Sequence, residues 1–187
     1  MNRTILFLLI CVSAAAQDTI QKPAYEIRTN VLSAISQGGY NLSIEKKTST
    51  AFSYGISFTK TLSPSLESKY ENGNKSHLPN WDLTPFVRYK FSDSNRSYYF
   101  AEAFTAINQG KYKTIIRNTA AEYAVYQIEK GNYIDLALGG SMGYHILIKN
   151  NWTAEFLVGF GSNLLQRAKS PDVVSRVGLS IGYQFNK

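Results

Sequence analysis

The sequence predicts an all-β fold: an eight-stranded antiparallel up-and-down barrel that crosses a membrane on its strands. Three observations carry this. Stretches of about ten residues, the length of a tilted strand crossing a bilayer, alternate large apolar side chains with Gly, Ser, Thr or isolated charges. Such period-2 alternation marks a strand with two unlike faces. Thirteen Tyr and ten Phe enrich the chain in residues that favour strands, and Ala- and Leu-rich helical runs are absent. Finally, short connections alternate with long ones, as in a barrel with tight turns at one rim and loops at the other.

The strands follow a leader. "MNRTILFLLICVSAAAQ" carries one basic residue, Arg3, an apolar run over 5–12 and a close on Ala14, Ala15 and Ala16. This is the layout of a cleavable signal peptide over 1–16, and the apolar run is far shorter than a spanning helix. Cys11 follows Ile10 rather than a small residue, which disfavours lipidation. It is the single cysteine, so cleavage leaves a chain with no disulfide and no thiolate site. A short segment at 17–24 then leads into one barrel domain over 25–187, in keeping with the usual size of a domain.

The first strand is expected at 25–34 ("YEIRTNVLSA") and the second at 40–47 ("YNLSIEKK"). The third, 51–62, sets Phe52, Tyr54, Ile56 and Phe58 against Ser53, Gly55, Ser57 and Thr59. In the fourth, 81–91, Trp81, Leu83, Pro85, Val87, Tyr89 and Phe91 oppose Asp82, Thr84, Phe86, Arg88 and Lys90. The fifth, 98–108, is blurred because Phe100 and Phe104 share a face with Glu102. The sixth, 133–148, and the seventh, 152–165, place Leu138, Met142, Phe156 and Phe160 against small residues. The eighth, "RVGLSIGYQFNK" at 176–187, has Val177, Leu179, Ile181, Tyr183 and Phe185 on one face. "TST", "SDSNRS" and "KNN" are the short connections; 63–80, 109–132 and 166–172 are the long ones. "SQGG" at 36–39 is short where a long loop is expected. Within the longest segment, "NTAAEYAVYQIEKG" at 118–131 reads as extensions of the flanking strands rather than a helix, because Tyr123, Val125 and Tyr126 suit β structure.

Volume decides which face is inside. An eight-stranded barrel has an interior just wide enough for side chains, and the aromatic face would overfill it. Bulky residues therefore belong outside, against lipid, and small ones inside. The aromatics gather at strand ends, where girdles form at the lipid–water boundary. The inward face then carries Glu26, Arg28, Glu45, Arg88, Glu102, Asp135, Glu155 and Arg176. Buried charges need partners, so these are expected to form a lumenal network of ion pairs rather than an open pore.

The leading "RTNVLSA", the following "GGYNLSIEKK" and the closing "RVGLSIGYQF" resemble the small eight-stranded outer-membrane barrels of the OmpA-transmembrane-domain and OmpX type. More closely, the chain resembles a family of bacterial outer-membrane barrels known as a domain of unknown function. The resemblance implies a monomer in the outer membrane of a Gram-negative bacterium. It also implies that Val177, Leu179, Ile181, Tyr183 and Phe185 form the signal read by the barrel-assembly machinery. Asn186 and Lys187 trail beyond the position where that signal commonly ends.

Chemistry-bearing patterns are sparse. His77 and His145 are the only histidines, with no second imidazole or carboxylate at ligand spacing, so neither a metal nor a cofactor is expected. His145 is flanked on its strand by Gly143 and Leu147 rather than Ser, unlike a His–Ser hydrolase. "GGSMG" at 139–143 lacks the Lys of a phosphate loop. Without the leader the chain has nineteen basic and thirteen acidic residues, a net charge of +6. Lys111, Lys113, Arg117, Lys130, Arg167 and Lys169 fall in expected outer loops, where they suit contact with lipopolysaccharide phosphates rather than nucleic acid. A non-enzymatic role, structural or in surface interaction, is the expectation. The alternatives are a lipid-modifying outer-membrane enzyme and a soluble periplasmic lipid-binding barrel.

Overall fold

In the computed structural model each strand pairs antiparallel with its neighbours in sequence, and the last returns to the first. The strands are β1 (Ala24–Asn30), β2 (Tyr40–Lys47), β3 (Phe52–Lys60), β4 (His77–Lys90), β5 (Ser97–Asn118), β6 (Val125–Leu147), β7 (Trp152–Asn163) and β8 (Val173–Asn186). The structure describes residues 24–92, 94, 96–118 and 125–186, so the expected leader lies outside the described residues. The seam runs from Ala24↔Asn186 to Asn30↔Ser180 and leaves the sheet without an edge. The expected eight-stranded antiparallel barrel is the observed one. Among the described residues no helix is long and apolar enough to cross a membrane.

The start of β1, the end of β8 and the short connections share one rim, the turn rim; the long connections share the other, the loop rim. Two features mark the loop rim, and the first differs from the sequence expectation. The first strand stops at Asn30 rather than running to residue 34, and a helix, α1 (Val31–Gln37), follows it. Asn30 caps α1, its side chain accepting the Ser33 N–H at 3.2 Å, and Gly38 ends it with φ 59 in the left-handed region. Alternation in "TNVLSA" mimics strand, but Asn30 and Gly38 are a helix start signal and a helix stop signal. The first connection therefore spans 31–39, and the short-turn, long-loop rhythm is complete. Replacing Asn30 with Ala is expected to destabilise α1 by about 1 kcal/mol, read as faster amide exchange over 31–37.

The second feature is the height of β5 and β6. Beyond Tyr112 and Gly131 they continue as a two-stranded ribbon, pairing from Lys113↔Lys130 to Asn118↔Val125. Six residues of strand raise it about 20 Å above its neighbours. This is the strand extension expected for 118–131, with 119–124 outside the described residues. A second helix, α2 (Pro64–Glu71), braces its base. Ser63 caps α2, and buried Tyr70 donates its O–H to the Tyr112 carbonyl at 3.0 Å.

Alternation holds around the wall. Phe52, Phe156, Phe160, Leu179 and Met142 face outward and are exposed. The expectation that only small residues lie inside needs correction: Phe86, Phe100, Phe104, Tyr98, Tyr112 and Tyr133 are all buried in the barrel or just beneath its loop rim. Each of the three inward Phe rings lies over a glycine. A Cβ on Gly55 would stand 2.5 Å from Phe86 Cζ, on Gly139 2.4 Å from Phe104 Cζ, and on Gly143 2.4 Å from Phe100 Cζ. Glycine on one strand leaves the room that the ring on the next one fills, which keeps the interior dense.

Candidate functional site

The lumen has two parts, a charged plug toward the turn rim and a hydroxyl-lined vestibule toward the loop rim. Register builds the plug. Inward positions two residues apart repeat on every strand, and pairing sets Arg88 opposite Glu102, Glu26 opposite Glu45 and His145 opposite Glu155. Two carboxylates face to face would repel, yet here cations lie between them.

Arg88 is the hub. Its Nε donates to Glu102 (2.7 Å), Nη1 to Glu155 (2.7 Å) and Glu45 (2.9 Å), and Nη2 to the second oxygen of Glu155 (3.0 Å). The guanidinium is packed against the Phe86 and Phe100 rings, 4.6 and 4.3 Å from their centroids. Arg28 Nη1 reaches Glu45 (2.5 Å), Glu26 (3.2 Å) and Glu155 (3.3 Å). Gly182 makes room for it, since a Cβ there would stand 2.4 Å from Arg28 Cγ. Arg176 enters from β8 and meets Glu102 at 2.9 Å. Hydroxyls fill the remaining acceptor positions: Thr153 donates to Glu26, Ser53 to Glu45 and Ser141 to Glu102.

The structure thus brings together Glu26, Arg28, Glu45, Arg88, Glu102, Glu155 and Arg176. It does not bring in Asp135. That carboxylate sits at the loop rim and accepts from the backbone of Leu136, Leu165 and Gln166 and from Ser170, which fixes the β7–β8 loop. Two members were not foreseen as charged partners. Lys47 binds Glu26 (2.6 Å), the Gln184 side chain (2.8 Å) and His145 Nε2 (3.1 Å). An ammonium can only donate, so His145 Nε2 accepts and its proton lies on Nδ1, 3.6 Å from Glu155. His145 also stacks on Tyr98, with ring centroids 4.7 Å apart. Lys47 was legible by parity, since it shares the inward face with Glu45.

Above the plug lies a cavity of about 180 Å³, room for about six waters. Asn41, Ser43, Ser57, Thr59, Asp82 and Thr84 line its wall, with Arg28, Arg88 and Glu155 at its floor and Ser33 and Ser36 of α1 at its mouth. The wall is largely self-satisfied: Asn41 donates to Ser57 and Thr59, and Thr59 and Thr84 donate to Asp82. The four plug carboxylates Glu26, Glu45, Glu102 and Glu155 all meet cations, which ties them up as structural partners. Among the described residues no three His, Cys, Asp or Glu form a metal-binding group.

The basic residues of the loop rim divide. Lys113 donates to the carbonyls of Tyr70 and Glu71, and Lys130 meets the Glu71 carboxylate, so both clasp α2 to the ribbon. Arg167 donates to the Asn163 carbonyl, and Lys169 lies over the Tyr112 ring. Lys111 and Arg117 stand exposed on the outward face of β5. The Lys130 hydrogen bond, then the charge of Lys113, hold the Glu71 carboxyl below its ordinary value. A carboxylate depressed in the folded state contributes above its unfolded value, and that contribution fades as pH falls through the folded one. The clasp is therefore expected to persist through neutral pH and loosen in acid, read as rising amide exchange over 64–71. Glu71→Gln should show the loosened exchange at every pH.

Comparison with known proteins fits this architecture. A family model described as "Protein of unknown function (DUF3575)" matches residues 4–173. No curated protein matches the chain. Among solved structures, the chain is similar to the N-terminal β-barrel domain of Pseudomonas aeruginosa OprF, at 13% identity over 88% of this chain and 97% of that one, with TM-score 0.52. It is also similar to Neisserial surface protein A, at 10% identity over 89% and 95%, with TM-score 0.47. The outer membrane protein Ail of Yersinia pestis follows, at 12% identity over 88% and 99%, with TM-score 0.42. At such identity the OprF likeness is one of fold.

Proposed function

The chain belongs to the family described as protein of unknown function DUF3575, and we propose that it is a monomeric, non-enzymatic integral protein of the bacterial outer membrane. The observation that carries this reading is the outward wall. Phe156, Phe160 and Met142 are 53%, 60% and 65% exposed, and the apolar surface around them continues onto every strand. A soluble monomer rarely shows an apolar patch above a few hundred Å², whereas lipid covers such a wall. A soluble lipid-binding barrel would carry its apolar face inside, where this chain has a charged plug. A lipid-modifying enzyme would need a free acid, base or nucleophile on the lipid side, whereas His145 is enclosed in the lumen.

Export by cleavage of residues 1–16 and insertion by the barrel-assembly machinery complete the reading. Val177, Leu179, Ile181 and Phe185 face outward on β8, and Tyr183 packs edge-on against Phe185 and Trp152, which leaves the face accessible to such recognition. Of the six basic residues, Lys111 and Arg117 are the ones positioned for lipopolysaccharide phosphates, because the others are engaged within the loop rim. Neutralising Lys111 and Arg117 together is expected to weaken and desalt-sensitise lipopolysaccharide binding more than neutralising Arg167 and Lys169. Equal effects would contradict that assignment. For the central reading, the protein should resist carbonate extraction from membranes and migrate differently on gels before and after boiling. Release by carbonate with no mobility shift would overturn it.

A further inference from the structure

We propose that the outward face near the turn rim contains a binding site for one anionic glycerophospholipid, with Lys46 between Tyr25 and Tyr54 taking the phosphodiester. The proposal rests on the membrane reading and adds a ligand class to it. Register sets Lys46 on β2 opposite Tyr25 on β1 and Tyr54 on β3. Its Nζ stands 5.8 Å from each ring centroid. Among the described residues no salt bridge ties Lys46 to a carboxylate, and the two rings are its flanking partners.

The setting makes this lysine unusual. Among the described residues, the outward positions of the barrel wall carry three charges, Lys46, Lys60 and Lys111, and of these Lys46 alone stands toward the turn rim. Lys60 is at the loop rim and is hydrogen-bonded to Asn80. Lys46 lies at the depth of the ring girdle formed by Phe52, Tyr89, Trp152 and Tyr183, where headgroups meet acyl chains. The ammonium supplies N–H donors and each phenol an O–H donor, which a phosphodiester can accept on its charged oxygens.

The wall continues the site toward the membrane interior. Two residues along each strand, Ile27, Ile44 and Ile56 pair in one register row directly beyond Tyr25, Lys46 and Tyr54. All three are exposed, and Leu42 and Phe58 form the next row. A headgroup at Lys46 therefore places an acyl chain along an unbroken apolar track. That continuity identifies the source as a lipid rather than free phosphate.

The test uses the full mature protein inserted into phosphatidylcholine vesicles containing a minor fraction of phosphatidylglycerol, released into mild detergent and weighed by native mass spectrometry. The wild type should retain one phosphatidylglycerol. K46Q should lower that retained fraction about fivefold, the size of effect one lysine has on attraction to an anionic headgroup. K60Q should retain it as the wild type does. Excess glycerophosphoglycerol, the headgroup without chains, should not displace the lipid; displacement would overturn the acyl-chain part of the site. Equal retention by K46Q and wild type, with both inserted and heat-modifiable on gels, would overturn the site and leave the membrane reading standing. Failure of the wild type to insert would overturn both.

Discussion

Replacing Arg88 with Met is expected to lower the unfolding free energy of the barrel by about 3–5 kcal/mol, the cost of removing one partner from a buried charge cluster. Arg88 is the point where Glu45, Glu102 and Glu155 meet, and all four side chains are buried. Met keeps the apolar stem packed near Phe86 and Phe100 but leaves three carboxylates short of their shared cation. Arg28 still reaches Glu45 and Glu155, whereas Glu102 retains only Arg176. Adding Glu155→Gln to R88M should recover part of the loss by removing one uncompensated charge. Urea unfolding in vesicles, followed by tryptophan fluorescence, measures both. A loss below about 1 kcal/mol, the worth of an exposed pair, would mean that water rather than protein solvates the plug.

Gly139→Ala should destabilise the barrel by about 1–3 kcal/mol, the range for overpacking a well-filled interior. The new Cβ would stand 2.4 Å from Phe104 Cζ, 2.4 Å from the Phe160 carbonyl oxygen and 2.6 Å from Gly161 Cα. The ring can move, but the backbone of β7 moves only with its ladder. Phe104→Ala is costly in itself, but in its background Gly139→Ala should cost less than in the wild type, because the ring contact is gone and the backbone one remains. The same unfolding experiment reads it, and no cost at all in that background would show that β7 yields more easily than its pairing implies.

These two positions also mark what could be read in the sequence. The outward wall was legible because lipid-facing side chains need only alternate and be apolar, as Val177 to Phe185 do. The membership of the plug was legible by parity, since Arg28 and Glu45 had to point inward once Ile27 and Ile44 pointed out. Their pairing was not. Whether Arg88 meets Glu102 or Asp135 depends on strand register and height, which separate residues by a lumen and not by a sequence interval. Asp135 has the right parity but the wrong height, and it caps a loop instead. The inward Phe rings failed the volume argument for the same reason. A mean lumen radius excludes them, yet Gly55, Gly139 and Gly143 each open a local hollow that only register reveals. At Asn30 two local signals competed. Alternation suggested strand, and the Asn cap with Gly38 won because it satisfies the backbone groups of α1.

The most direct test of the outward wall uses the protein's own two tryptophans. Trp81 is near the loop rim and Trp152 near the turn rim, both on the outward face. In vesicles of lipids brominated on the acyl chain, both should be quenched, more strongly with bromines near the headgroup than near the chain end. Tryptophan fluorescence unaffected by bromine at any depth, with the protein recovered in the aqueous fraction, would contradict a lipid-facing wall.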